Sequence, residues 1–299
     1  VNPDNGNYLL VGTSSVPFVV AKMEIDANEI TAPNQAYTGN ALSPSIVDNA
    51  YNVDGKEIYS VQPVGNWVNA GTYEITLVMK DFANMKWLSV DVQERKIPFV
   101  IEKAKNALTS EIEISGWTYG QYDAEKNAPH ATTKFGSPVF YYSTDENGEF
   151  TTGAPRNENA GEYFVRAYVQ GTDNYEELKL TDGKAVSFRI SPVVVGIPSL
   201  GIITDGEGKN DTYAAADLSA AIAGYDTSLM NIAYDGNLSV SGNGVEIFAR
   251  NAGSYTVRIT FIDPVNYVWA AGDEAADGVV TLGWTIAKRQ LAKPTANDS

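Results

Sequence analysis

The sequence predicts an all-β protein built as tandem Greek-key β-sandwiches, three repeats in an elongated array. Three observations carry that expectation. The stretch "NAGTYEI" from Asn69 returns as "NAGEYFV" from Asn159 and "NAGSYTV" from Asn251, so that Gly71, Gly161 and Gly253 lie about 90 residues apart, close to the size of a sandwich domain of about 100 residues. Each glycine is followed 13 residues later by an asparagine, Asn84, Asn174 or Asn266. Each repeat then closes on an aromatic strand: "IPFVIEK" with Phe99, "VSFRISP" with Phe188 and "LGWTIAK" with Trp284.

The elements follow from periodicity. After the glycines, the sets Tyr73/Ile75/Leu77/Met79, Tyr163/Val165/Ala167/Val169 and Tyr255/Val257/Ile259/Phe261 alternate with mostly polar residues, a period of two that puts each set on one face of a sheet. The closing strands alternate likewise through Ile97/Phe99/Ile101, Val186/Phe188/Ile190 and Leu282/Trp284/Ile286. The asparagine segment between the two strands is then a hairpin turn. "VPFVVAK" at Val16–Lys22 is a fourth copy of the closing strand. A further hairpin is expected at "TDENGEF", with Asn147-Gly148 supplying the positive φ of a tight turn. "AAADLSAAIAGY" from Ala214 has the composition of a short helix capped by Asp211 or Thr212.

These landmarks divide the chain. Residues 1–21 form the tail of a preceding repeat or an N-terminal extension; repeats follow at 22–103, 104–191 and 192–289; residues 290–299 form a linker or the start of a following repeat. The chain opens at "VNPDNGNY" without a methionine and shows no signal peptide, as expected of a piece of a longer protein.

The repeated motif suits a tyrosine corner. In such a corner the ring tucks into the core and the hydroxyl bonds to backbone a few residues upstream. The expected roles are structural: Gly71, Gly161 and Gly253 permit a positive φ, the neighbouring asparagines fix the turn, and Tyr73, Tyr163 and Tyr255 each supply a hydroxyl to a buried carbonyl.

On these residues the chain resembles the Ig-like repeats of bacterial cell-surface proteins, specifically the MBG-type modules with "NAGTY" and an aromatic closing strand. "SGWTYGQ" near Trp117 and "YTGNAL" at Tyr37 are similar to the opening segment of those modules. The third repeat departs: 196–242 has no counterpart of "WTYG", and the second carries Pro192 where the others have Lys22, Lys103 and Lys288. The resemblance implies a secreted, modular protein on the cell surface, anchored outside this stretch. It further implies a structural or adhesive role toward a host or cell-envelope protein or glycan.

Composition narrows the chemistry. A net charge of -16 with 37 acidic against 21 basic residues argues against nucleic acid. The longest apolar run, "PVVVGIPSLGII" from Pro192, is too short to cross a bilayer. There is no cysteine, and a single histidine, His130, allows neither a histidine zinc cluster nor a supported Ser-His-Asp triad. The expectation is a monomeric, non-enzymatic chain without cofactor. Calcium is the ion considered, at Asp205, Glu207, Asn210 and Asp211 or at Asp145, Asn147 and Glu149, though both stretches read equally well as turns. Lys22, Lys103 and Lys288 could join the repeated asparagines in isopeptide bonds, although the turn role already explains those asparagines. Trp87, Trp269 and Trp284 belong to the core by repeat position. Trp67 and Trp117, with Tyr141 or Tyr142 behind them, are the candidates for an exposed glycan platform, although packing is the favoured reading even there because tryptophan is highly buried on average. The alternative to a structural array is thus a carbohydrate-binding module accompanying an enzyme.

Overall fold

The computed structural model describes Gly12 and residues 17–48, 52–53, 56–63, 65–204, 212–213, 217–235, 238–241, 245–271 and 277–293. The chain is all-β, with tandem Ig-like sandwiches. It divides into two compact units. One is Val1–Ala107 with Thr133–Ser137 and Val169–Leu178; the other is Leu108–Thr132 with Pro138–Tyr168 and Lys179–Ser299.

In the first unit, a four-stranded sheet runs in the order Gln35–Ala36, Glu94–Glu102, Gly71–Met79, Tyr59–Gln62. The strand after the corner glycine pairs antiparallel with the closing strand, placing Tyr73 opposite Phe99 and Ile75 opposite Ile97. Alternation therefore turns Ile75, Leu77 and Met79 inward together with Ile97, Phe99 and Ile101, all buried. Across the core lies a parallel pair, Met23–Ile25 with Met85–Trp87, which contributes Ile25 and Trp87.

The second unit holds two cores. A five-stranded sheet, ordered Trp117–Thr118, Val186–Ser191, Gly161–Tyr168, Val139–Ser143, Thr151–Thr152, carries Tyr163, Val165, Phe188 and Ile190 into one of them. The other lies between a three-stranded sheet (Met230–Asp235, Gly253–Phe261, Val280–Ile286) and a four-stranded one (Ser199–Leu200, Leu218–Ala223, Glu246–Ala249, Ser239–Ser241). The parallel pair Val193–Val195 with Tyr267–Trp269 sets Val195 opposite Trp269, as Ile25 stands opposite Trp87 in the first core.

Four expectations need correction. Leu218–Ala223 is a strand, because Leu218, Ala220 and Ile222 alternate into the core and pair with Glu246–Ala249. Alanine's helix preference is worth only tenths of a kcal/mol per residue, and pairing overrides it. Residues 17–22 form no strand, and Phe18 is 83% exposed; an alternating pattern is buried only where a sheet lies beside it, and among the described residues none pairs with this one. The hairpin at 143–151 exists, with Tyr142 opposite Thr151. Neither Asn147 nor Gly148 has a positive φ, however. The loop is instead held by the Ser143 Oγ and Asp145 Oδ1 acceptors, which receive the Asp145 and Asn147 N–H groups at 3.1 and 3.0 Å. Finally, the third repeat does have a counterpart of "WTYG". The Tyr213 N–H donates to the Ala287 carbonyl at 2.9 Å, as Tyr37 does to Glu102 at 2.9 Å and Tyr119 to Ser191 at 2.8 Å. The short Thr-Tyr of "DTYAAA" is thus the parallel partner of its closing strand.

Candidate functional site

All three corners close in the same way. The hydroxyls of Tyr73, Tyr163 and Tyr255 donate to the carbonyls of Asn69, Asn159 and Asn251 at 2.6, 2.8 and 2.6 Å. Their rings pack on the closing strands, at 6.4 Å from Phe99, 5.8 Å from Phe188 and 5.6 Å from Trp284. The glycine's contribution differs from the expected one. Gly161 and Gly253 do not adopt a positive φ, and Gly71, at φ 158, is close to fully extended. The tyrosine ring folds back over each glycine instead, 3.7 to 3.8 Å from where a Cβ would stand. Glycine keeps that face flat for the ring. Tyr163→Phe is expected to lower stability by about 1–2 kcal/mol in denaturant melts, and an unchanged midpoint would contradict the corner.

Burial pushes the Tyr163 phenol above its ordinary range, with Glu158 adding to the shift, and raises that of Tyr225 as well. The Tyr142 phenol is pushed up from 10.0 to about 12, by burial first and then by Tyr122. These groups ionise more readily in the unfolded chain. The stability they confer is therefore complete below the unfolded value and is lost as pH rises through the folded one. The melting temperature should fall between pH 10 and about 12; a flat profile across that window would contradict the assignment.

The repeated asparagines do more than make turns. The Ala70 N–H donates to Asn174 Oδ1 at 2.8 Å, and Asn174 Nδ2 donates to Asn69 Oδ1 at 3.1 Å. The same pair recurs one repeat later: the Ala160 N–H donates to Asn266 Oδ1 at 2.7 Å, and Asn266 Nδ2 donates to Asn159 Oδ1 at 2.9 Å. Each clamp lies within one compact unit and spans more than 100 residues of sequence. A carboxamide is suited to it, since it accepts and donates in one plane. The main chain completes the joint. The Asn174 carbonyl accepts from the Ala104 N–H at 3.0 Å and that of Asn266 from the Val193 N–H at 2.8 Å, just as Asn84 accepts from Met23 at 2.8 Å. Sequence spacing picks out these residues, but no local pattern announces a partner so far along the chain.

Two of the three lysines expected near them are engaged elsewhere. Lys103 Nζ donates to the Thr172 carbonyl at 2.8 Å, and Lys22 pairs with Asp91 at 2.9 Å. The amides of Asn174 and Asn266 are committed to the corners, which leaves neither of them for an isopeptide bond.

The aromatic candidates separate. Trp117 is only 7% exposed, stacked on Phe188 at 5.2 Å and edge-on to Tyr122 at 5.0 Å, so it is a core residue and no platform. Trp67 is half-buried between Tyr73 (5.4 Å) and Phe99 (5.6 Å) and braces the first corner. Tyr141 packs edge-on against Tyr168 at 5.9 Å. Tyr142 lines an open groove of about 500 Å³ with Thr144, Glu149, Thr151, Glu158 and Tyr163, a wall of hydroxyls and carboxylates beside aromatic rings. Sequence reasoning pointed to Tyr142 and, separately, to Glu149, without joining them or naming Thr144, Thr151 and Glu158 beside them. Asp205, Glu207, Asn210 and Asp211 lie outside the described residues. Among the described residues no three acidic or histidine side chains are placed to hold a metal, and no helix is long and apolar enough to cross a membrane. His130 is exposed and takes part through its backbone in a bridge with Glu113.

Cores, corners and flanking parallel strands together define a fold of tandem Ig-like sandwiches. No family model matches the chain, and none of the curated proteins does. Among solved structures it is similar to immunoglobulin domains 1-5 of Sidekick-1, at 13% identity and a TM-score of 0.29, over 87% of this chain and 59% of that one. Tandem titin Ig domains match at 10% identity and a TM-score of 0.20, over 62% and 96% of the respective chains. Drosophila N-cadherin matches at 9% identity and a TM-score of 0.22, over 90% and 73%.

Proposed function

We propose that the chain is a non-catalytic structural or adhesive segment of a bacterial cell-surface protein, working outside the cell as a monomer. Its modules are 22–103, 104–191 and 192–289, with residues 1–21 as the tail of a preceding repeat or an N-terminal extension and residues 290–299 as a linker or the start of a following repeat. Its partners are host or cell-envelope proteins or glycans, not nucleic acid. The observation that carries this reading is the pair of asparagine clamps: the polar residues that recur most faithfully are used to close modules and to fasten one to the next. That is the requirement on a spacer that must hold its direction. Spin labels at Glu125 and Thr227, both exposed, test it. A narrow distance distribution is expected in the native chain and a broad one in Asn159→Ala/Asn266→Ala; a distribution already broad in the native chain would contradict a spacer of fixed direction.

A second reading is favoured by the groove at Tyr142, whose hydroxyls and carboxylates suit the hydroxyl groups of an oligosaccharide. Retention of a glycan by the full chain, lost in Glu149→Gln at an unchanged melting temperature, would establish it. No retention across a glycan array would remove it.

A further inference from the structure

Among the described residues two copies of the clamp are complete, and two half-copies stand open. At one end, the corner Asn251-Ala252 has the tyrosine bond of the others, from Tyr255 to the Asn251 carbonyl at 2.6 Å. Yet among the described residues no acceptor meets the Ala252 N–H, and no donor meets Asn251 Oδ1. At the other end, Asn84 occupies the turn position of Asn174 and Asn266. Its carbonyl accepts from Met23, and its Nδ2 is held by Asp81 at 3.2 and 3.0 Å, much as Asp263 holds Asn266 at 2.7 Å. Its Oδ1, which in the other two copies receives the alanine N–H, meets no donor among the described residues. Burial follows occupancy: Asn266 is 2% exposed and Asn174 half-buried, whereas Asn84 is exposed.

We infer that both half-clamps are docking sites for further Ig-like modules of this same kind. The Asn251-Ala252 corner takes the turn asparagine of a following module, and Asn84 takes the Asn-Ala corner of a preceding one. The occupant belongs to the same polypeptide. In both complete clamps the chain runs three residues from the last buried residue of the closing strand to the N–H that meets the turn carbonyl, from Ile101 to Ala104 and from Ile190 to Val193. The same count from Ile286 brings Arg289 to that position, and at the other end Met23 already makes that bond to Asn84. Two or three hydrogen bonds at a surface do not hold separate chains together, but a tether of this length raises the effective concentration into the millimolar range. The inference rests on the module reading proposed above.

The test joins residue 288 of one copy directly to residue 23 of a second and follows amide hydrogen exchange by mass spectrometry. The peptides of interest cover Ala70, Ala160 and Ala252. In the single chain, Ala70 and Ala160 are expected to be protected and Ala252 to exchange freely. In the fusion, half of the Ala252 population should slow by about tenfold, and Asn84→Ala in the second copy alone should abolish that slowing. Free exchange of all Ala252 in the fusion, with Ala70 and Ala160 still protected, would overturn the inference while leaving the module reading intact. Free exchange at Ala70 and Ala160 in the single chain would overturn the module reading itself.

Discussion

Replacing Trp117 with alanine is expected to destabilise the fold by about 3–5 kcal/mol, the cost of emptying a large aromatic site in a packed core. The indole lies between Phe188 and Tyr122 on a strand whose backbone pairs with Ile190, so neighbouring rings cannot close the space without moving the closing strand. Its Nε1 is buried and meets no hydrogen-bond acceptor among the described residues, so the loss is ascribed to packing. Trp117→Phe should therefore recover most of the stability, unlike a tryptophan held by its N–H. Denaturant melts of the two variants decide the matter. A loss below about 1 kcal/mol for the alanine variant would place Trp117 outside the core.

Asn266→Ala is the second large effect, at about 2–3 kcal/mol. The carboxamide is buried, and its loss removes the acceptor of the Ala160 N–H and the donor to Asn159 Oδ1 and Asp263 Oδ2. Asn266→Asp should be no better, since it keeps the acceptor but sets a second negative charge beside Asp263 and removes the donor. Asn174→Ala should cost less, because Asn174 is only half-buried. Equal melting curves for Asn266→Ala and the native chain would show that the clamp confers no stability.

Much of the fold was legible wherever side-chain period and repetition agreed. The strands after Gly71, Gly161 and Gly253 and the three closing strands fall where alternation puts them, because one face must be apolar for a sandwich to form. Legibility failed where tertiary pairing outweighed local preference. Leu218–Ala223 reads as helix by its alanines and becomes a strand by its partner. Residues 17–22 read as a strand yet find none to pair with among the described residues. Of the site, the tyrosine corners could be seen because all their parts lie within five residues. The clamps could not, since Asn69 and Asn174 are adjacent only after folding. Trp117 stayed open between packing, the favoured reading, and a platform, because a lone tryptophan near a glycine looks the same in sequence whether it faces solvent or Phe188.

The most direct test of the joint is a double-mutant cycle between Asn159→Ala and Asn266→Ala, read by denaturant unfolding of the full chain. A clamp in which the two carboxamides act together predicts a coupling energy of about 1 kcal/mol, whereas residues that do not interact add to within about 0.3 kcal/mol. Coupling of that size would show that corner and turn form one device; simple additivity would contradict it.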